Sequence, residues 1–367
     1  MHRSAHRIAA LSLSSLRVEI ARQHEPALEG KALAVVVARP GSAVVDEATV
    51  LGNTRIDEVS LEAKSSGIQP GMTIAAARAR TADLAVRVVA ERAAVDALAR
   101  VAELALAFGA TVAFDAATHV VWADVTGCAH LHDPNDHHRG EKILAKKLWE
   151  KVKSLGHDAT VAVADGPRVA AIFAQVLGAT KERGLVVPPE ATKRTFAALP
   201  LSALPIDEAA KHWLARLGLK IAADVERLPR SSLAQRLGPQ ARMLFALFDG
   251  ADTSPLDPYR PPETPTERLE LEYGIEGGEA ILFALRTLAV RLAARLEGRA
   301  LGTTELVLTF ELDDAARSYE KKRRSRHDRT LVLASPIRSE QDLFAVARAR
   351  VEAAERRQET FTAPILA

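Results

Sequence analysis

Apolar residues fall along this chain in two patterns that take turns: short unbroken runs, and stripes spaced near 3.6 residues. Ile8–Leu13 reads as a short buried strand leading into a helix that reaches about residue 20. Ala32–Ala38 is a second buried-strand run, closed by the breaker sequence Arg39-Pro40-Gly41-Ser42. Ser60–Ser66 and Ile74–Thr81 predict short helices on either side of a Gly67–Gly71 turn, and the Ala-rich segment 89–108 predicts a longer one. Strands near 110–115 and 118–125 form a hairpin-like unit, followed by a helix over 139–154 and a strand over 159–164. From Gly166 to Gly250 the pattern is helical. Five prolines in residues 251–265 then exclude a helix or a central strand and predict a stiff, extended spacer. The remainder reads strand 268–274, helix 277–298, strands 303–311 and 327–334, helix 339–356 and strand 360–366. That β-α-β-β-α-β order fits any ferredoxin-like module. The class is α+β.

Composition narrows the function. A chain of 367 residues exceeds a single hydrophobic core, so two or more domains are expected. With 49 basic and 47 acidic side chains the net charge is only +2, so any nucleic-acid contact must use local patches. The one cysteine, Cys128, excludes an intramolecular disulfide and fits a reducing compartment. Residues 1–20 carry no export-signal pattern, and no run of 18 apolar residues occurs, so neither export nor a membrane partner is expected. The expected location is cytoplasmic and nucleoid-associated.

Four segments carry a resemblance. Ala10-Leu11-Ser12-Leu13-Ser14-Ser15-Leu16-Arg17-Val18-Glu19 is similar to the opening Asp-Met-Asp-x-Phe-Phe-Ala-Ser-Val-Glu of the Y-family (translesion) DNA polymerases. Thr118-His119-Val120-Val121-Trp122-Ala123-Asp124-Val125-Thr126-Gly127 resembles their Ser-x-Asp-Glu strand, with the closing Asp-Val-Thr-Gly intact. Ser60-Leu61-Glu62-Ala63-Lys64 followed by Gly67 and Gly71-Met72 resembles Ser-Tyr-Glu-Ala-Arg and Gly-x-x-x-Gly-Met, and Asp165–Ala174 resembles the Pro-Asn-Lys-x-Leu-Ala-Lys helix opening.

The same alignment shows what is missing. Ala10, His119 and Val120 stand where the resemblance places the metal-binding carboxylates. Two-metal phosphoryl transfer needs carboxylates bridging ions roughly 3.5–4 Å apart; alanine and valine cannot hold Mg²⁺, and a lone imidazole suits softer metals. Ser14 and Ser15 replace the aromatic pair that holds the sugar gate. Leu61, Lys64 and Ile172 replace a Tyr, an Arg and a Lys that the resemblance assigns to the triphosphate. Lys64 keeps a charge but not the planar fork that suits phosphate oxygens. No catalytic residue, metal or cofactor is therefore expected.

The resemblance implies a palm in two parts (1–24 and 89–165), a fingers-like module (25–88), a helical thumb (166–250), a Pro-rich linker (251–267) and a separate little finger (268–367). The combination resembles the ImuB-like branch of the family, and this resemblance implies a noncatalytic DNA-binding adaptor of a bacterial translesion-synthesis and mutagenesis complex. The partners it implies are primer-template DNA, the β sliding clamp, a RecA-like (ImuA-type) protein and an error-prone replicative-type DNA polymerase. Such subunits carry partner-binding sequence past the little finger, so a chain ending at Ala367 is expected to be truncated or a short member. Two alternatives stand beside this reading. One is an interaction scaffold with little DNA affinity. The other is an active polymerase in which Asp115 or Asp124 converges with a carboxylate such as Glu19.

For DNA, Leu214–Pro229 resembles a helix-hairpin-helix in which Gly218 makes the turn, free amides meet a phosphate and Lys220 adds charge. Lys321, Lys322, Arg323, Arg324, Arg326 and Arg329 form a basic run suited to backbone phosphates. The histidines at 130, 132, 137 and 138 lack zinc-site spacing. Glu340-Gln341-Asp342-Leu343-Phe344 faintly resembles a clamp-binding peptide, but Leu343 and Phe344 read better as core.

Overall fold

The first apolar run becomes strand β1 (Arg7–Ser12), and every one of its residues is buried because it lies inside a five-stranded sheet. The computed structural model describes residues 6–178, 180, 182–252, 254–269, 278–311 and 326–356. The chain divides into two units, Met1–Tyr259 and Arg260–Ala367.

In the first unit β1 is followed by helix α1 (Leu16–His24). The second apolar run forms β2 (Leu33–Ala38). It pairs antiparallel with β3 (Glu58–Val59) and parallel with β4 (Ala85–Ala90) in a separate three-stranded sheet. Helices α2 (Leu61–Ser65) and α3 (Ile74–Arg78) close a small core around Ala34, Ile56, Ile68 and Ile74. Strand β4 corrects the sequence reading, which began a helix at residue 89. Val89 and Ala90 instead complete the ladder against Val37 and Ala38, so helix α4 (Glu91–Ala105) starts later.

The hairpin β5 (Val112–Asp115) and β6 (Val120–Asp124), helix α5 (His137–Ser154) and strand β7 (Thr160–Asp165) follow. Next come α6 (Pro167–Leu177) and β8 (Gly184–Val186), which lies parallel to β7. The sheet order is β5-β6-β1-β7-β8. Strand β8 is a second correction, since it sits within the stretch read as wholly helical; its short apolar run completes the sheet beside Val161 and Val163. Five helices complete the unit: α7 (Thr192–Ala197), α8 (Glu208–Arg216), α9 (Ala222–Glu226), α10 (Arg230–Leu237) and α11 (Pro239–Phe248).

One buried cluster spans Ile8, Ala10, Val120, Ala162 and Ala164 on one face of the sheet, Val169 and Phe173 of α6, and Phe196, Leu214, Leu244 and Phe248 beyond. Burial of this apolar surface is the main stabilising term of the unit.

In the second unit, helix α12 (Gly278–Gly298), the antiparallel strands β9 (Thr303–Glu311) and β10 (Arg326–Ile337), and helix α13 (Glu340–Arg356) share a core of Ile281, Leu285, Phe310, Ala347 and Val351. Arg268 and Leu269 are not in a strand. The rest of the expected strand 268–274, and the expected strand 360–366, lie outside the described residues. Leu343 is buried and Phe344 packs on this core, as their apolar character predicted.

The Pro-rich segment is tied down on both units. Asp252 Oδ2 accepts hydrogen bonds from the Arg168 and Val169 amides at 2.6 and 3.0 Å, capping α6 from a distance. Gly166 permits this approach: its φ is +90°, and a Cβ there would collide with that of Asp252. The Tyr259 amide donates to Val112 O at 2.8 Å, and its hydroxyl donates to Glu103. Within the second unit Arg299 donates to the carbonyls of Pro262 and Glu263. Among the described residues, no helix is long and apolar enough to cross a membrane.

Candidate functional site

Ser12 pairs with Val120 and Ala10 with Trp122 across β1 and β6, so all four side chains share one face of the sheet. Ala10 and Val120 have no exposed surface and lie in the cluster that contains α6. Trp122 closes the same region, its indole Nε1 donating to Pro167 O at 2.8 Å. Two of the three positions where the resemblance put carboxylates, Ala10 and Val120, are thus diagonal neighbours on one face and are filled with hydrocarbon. Neither side chain offers a lone pair to a cation.

His119 stands one residue away with φ +53°, a backbone conformation uncommon for a residue other than glycine. Its carbonyl accepts from the Leu13 amide at 3.0 Å, which fixes the turn. The side chain is buried and meets two residues that the sequence reading did not single out. Its Nδ1 lies 3.9 Å from Glu58 Oε2, and Arg17 approaches the same oxygen at 3.8 Å. Glu58 Oε1 accepts from the Val18 amide at 3.2 Å and caps α1, a task that Ser15 at the N-cap does not perform. Burial pushes the Glu58 carboxyl up to about 7, against the favourable Val18 bond and Arg17 charge. Burial, and then the Arg17 charge, push the His119 imidazole down to about 4. His119 Nε2 is buried without a hydrogen-bond partner. One signal for this group was visible in the sequence: Arg17 occupies the place of a small Ser in the family pattern.

The remaining acids do not converge. Asp115 pairs with Val120 and Asp124 with Ile8, so they sit at opposite ends of β6, about 13 Å apart by strand rise. Asp115 accepts from Thr118, and Asp124 from Thr126. Glu19 accepts from His157 Nδ1 at 3.0 Å and from the Asp158 amide at 3.1 Å. The nucleotide-pocket positions are dispersed in character: Ser14, Leu61 and Lys64 are exposed, Ser15 is half-buried, and Ile172 is in the core. Among the described residues, no group of three or more His, Cys, Asp or Glu is placed to hold a metal ion.

The candidate DNA contacts are altered by the geometry. Gly218 makes the expected turn with φ +81°. Its amides, however, are already engaged: Gly218 N donates to Ala215 O, Leu219 N to Leu214 O, and Lys220 N and Ile221 N to Asp224 Oδ2 at 3.0 and 3.1 Å. A carboxylate therefore sits on the amides expected to meet a phosphate, leaving the exposed Lys220 as the free contact there. Lys321, Lys322, Arg323 and Arg324 lie outside the described residues. Arg326 and Arg329 are on opposite faces of β10, as strand alternation separates them. Arg326 is exposed and paired with Asp328 at 3.0 Å, whereas Arg329 is opposite Leu308, on the face bearing Phe310 that packs on the helices. Along the open face run Glu311, Thr309, Val307 and Glu305, opposite Arg326, Asp328, Thr330 and Val332.

Comparison with known proteins places this geometry in context. The impB/mucB/samB family matches residues 14–175. Protein ImuB of Caulobacter vibrioides is 29% identical over 247 residues, covering 66% of this chain and 51% of the relative. These likenesses are consistent with an ImuB-like Y-family polymerase homologue. The chain spans about half the length of the ImuB relatives it matches. DNA polymerase IV of Alkalilimnicola ehrlichii is 29% identical over 132 residues, covering 35% of this chain and 37% of that protein. Among solved structures, the insertion ternary complex of Dbh DNA polymerase covers 98% of this chain and 96% of its own, at TM-score 0.57 and 16% identity. DinB from Sulfolobus solfataricus covers 96% and 94%, at TM-score 0.55 and 17% identity. The α+β Y-family architecture expected from the sequence is therefore the fold of this chain.

Proposed function

We propose that this protein is a noncatalytic DNA-binding adaptor of a bacterial translesion-synthesis and mutagenesis complex. The observation that carries the reading is the burial of Ala10 and Val120 in an apolar cluster at two of the positions where metal-binding carboxylates would stand. Catalysis by two metals depends on charge and position together, and hydrocarbon supplies neither. The dispersed Asp115, Asp124 and Glu19 offer no substitute pair. In this role the protein holds primer-template DNA and links it, with the sliding clamp and a RecA-like protein, to a separate error-prone polymerase.

One observation favours a second reading, a scaffold with little DNA affinity. The open face of β9 and β10 carries Glu305, Glu311 and Asp328 against Arg326, a balance unsuited to phosphate. Fluorescence anisotropy with labelled primer-template DNA at low and moderate salt separates the two. Saturable binding that weakens steeply with salt is expected for the adaptor. A flat signal at low salt would favour the scaffold.

A further inference from the structure

Strand β8 ends the five-stranded sheet, with β7 on one side and no strand on the other among the described residues. Val161 N donates to Arg183 O and Val187 N to Val163 O, both at 2.9 Å, so residues 183, 185 and 187 direct their backbone groups at β7. Gly184 and Val186 therefore turn their N–H and C=O outward. Beside this edge lies a cleft of about 380 Å³, lined by Leu185, Val187, Pro188, Glu190, Arg194 and Thr195. Its volume is in the range of binding pockets, roughly 300–1,000 Å³. Arg194 is exposed on α7 and forms no ion pair among the described residues. The floor is rigid: Arg7, itself paired with Glu141 and Asp165, donates to Val187 O at 2.8 Å and fixes the chain directly after β8.

We propose that the free edge of β8 and this cleft dock an extended segment of a partner protein, apolar and carrying one acidic side chain. The segment adds a strand to the sheet through Gly184 and Val186, a recurring way an exposed edge is used in recognition. Alternate side chains of the segment enter the cleft over Leu185, Val187 and Pro188, and its acid pairs with Arg194. Glu190 at the rim disfavours a uniformly acidic chain, which sets the complement at a single carboxylate. This docking does not rest on DNA binding by the protein.

The probe is a synthetic acetylated heptapeptide of alternating valine and threonine with one central glutamate, added to the whole chain and followed by amide hydrogen exchange. Saturating peptide should slow exchange at Gly184 and Val186 by about tenfold or more, since a strand bond must open before exchange. Arg194→Glu should weaken the glutamate peptide and strengthen one with lysine in its place. Val186→Pro, which removes an outward donor, should abolish protection at Gly184. Peptide binding that leaves both amides unprotected would overturn the proposal, as would affinity indifferent to the charge swap. So would an absence of binding at millimolar peptide, or protection of the same amides by a single-stranded oligonucleotide and not by peptide.

Discussion

Glu58 Oε2 lies 3.9 Å from His119 Nδ1, joining β3 of the small sheet to the turn before β6 of the large one. Where the family pattern calls for a carboxylate that binds metal, this chain has an imidazole that faces a carboxylate from the neighbouring sheet. With Arg17 and the capped end of α1, the pair ties the three-stranded sheet to the five-stranded one.

The pH dependence of stability should expose this pair. Glu58 has a raised folded value, about 7 against 4.5, so its contribution is present below 4.5 and is lost as pH rises through 7. His119 has a depressed folded value, about 4 against 6.5, so its contribution is present above 6.5 and is lost as pH falls through 4. The two slopes oppose each other, and the natural protein should vary little in stability between pH 4.5 and 6.5. Glu58→Gln should leave a stability that rises with pH across that window. His119→Asn, which keeps a residue tolerant of positive φ, should leave one that falls. Urea midpoints measured at half-unit pH steps check both.

Restoring the missing acids should cost the fold more than it returns in chemistry. Val120→Glu places a carboxylate in a fully buried apolar cluster, a change expected to cost about 3 kcal/mol or more at pH 7. The penalty should shrink toward pH 5 as the carboxyl takes up a proton. The triple change Ala10→Asp, His119→Asp, Val120→Glu should not restore polymerase activity, because Ser14, Ser15, Leu61, Lys64 and Ile172 leave the nucleotide unpositioned. Thermal melts and primer extension on the same preparation check this.

The thumb hairpin offers a test in the opposite sense. Asp224→Ala should free the Lys220 and Ile221 amides and remove a negative charge next to Lys220. If the hairpin meets the DNA backbone, affinity for primer-template DNA should rise while Lys220→Ala lowers it. Equal affinities across the three proteins would take the hairpin out of the DNA footprint.

Replacing Lys321, Lys322, Arg323 and Arg324 together by alanine should weaken binding to unrelated sequences alike and flatten the log affinity against log salt slope by up to about 4 units. Arg326→Ala should change the slope by about 1 unit at most. Arg329→Ala should lower the melting temperature more than it alters binding, because Arg329 shares the packed face with Leu308 and Phe310. Salt titrations paired with melts distinguish these outcomes.

Much of the fold was legible because buried strands of this sheet are continuous apolar runs: Ile8–Leu13, Ala32–Ala38 and Ala159–Ala164 each became a strand within a residue of its expected bounds. Strand β4 was missed because its apolar residues run directly into the Ala-rich helix, where no breaker separates the two periods. Strand β8 was missed because three residues are too few to show a period, and only its parallel partner 23 positions earlier makes it a strand. The loss of acids at the candidate site was readable from residue identity alone. Of the Arg17–Glu58–His119 group only the unusual Arg17 was readable, since the group itself depends on two sheets meeting. Nor was the engagement of the hairpin amides by Asp224, an acid that also fits the exposed start of an ordinary short helix.

The most direct measurement is template-directed incorporation of a single nucleotide by the pure protein, on primer-template DNA that anisotropy in the same sample shows to be saturated. With Mg²⁺ or Mn²⁺, a bound complex and incorporation indistinguishable from background are expected. Templated incorporation that disappears when Asp115 or Asp124 is replaced would contradict it.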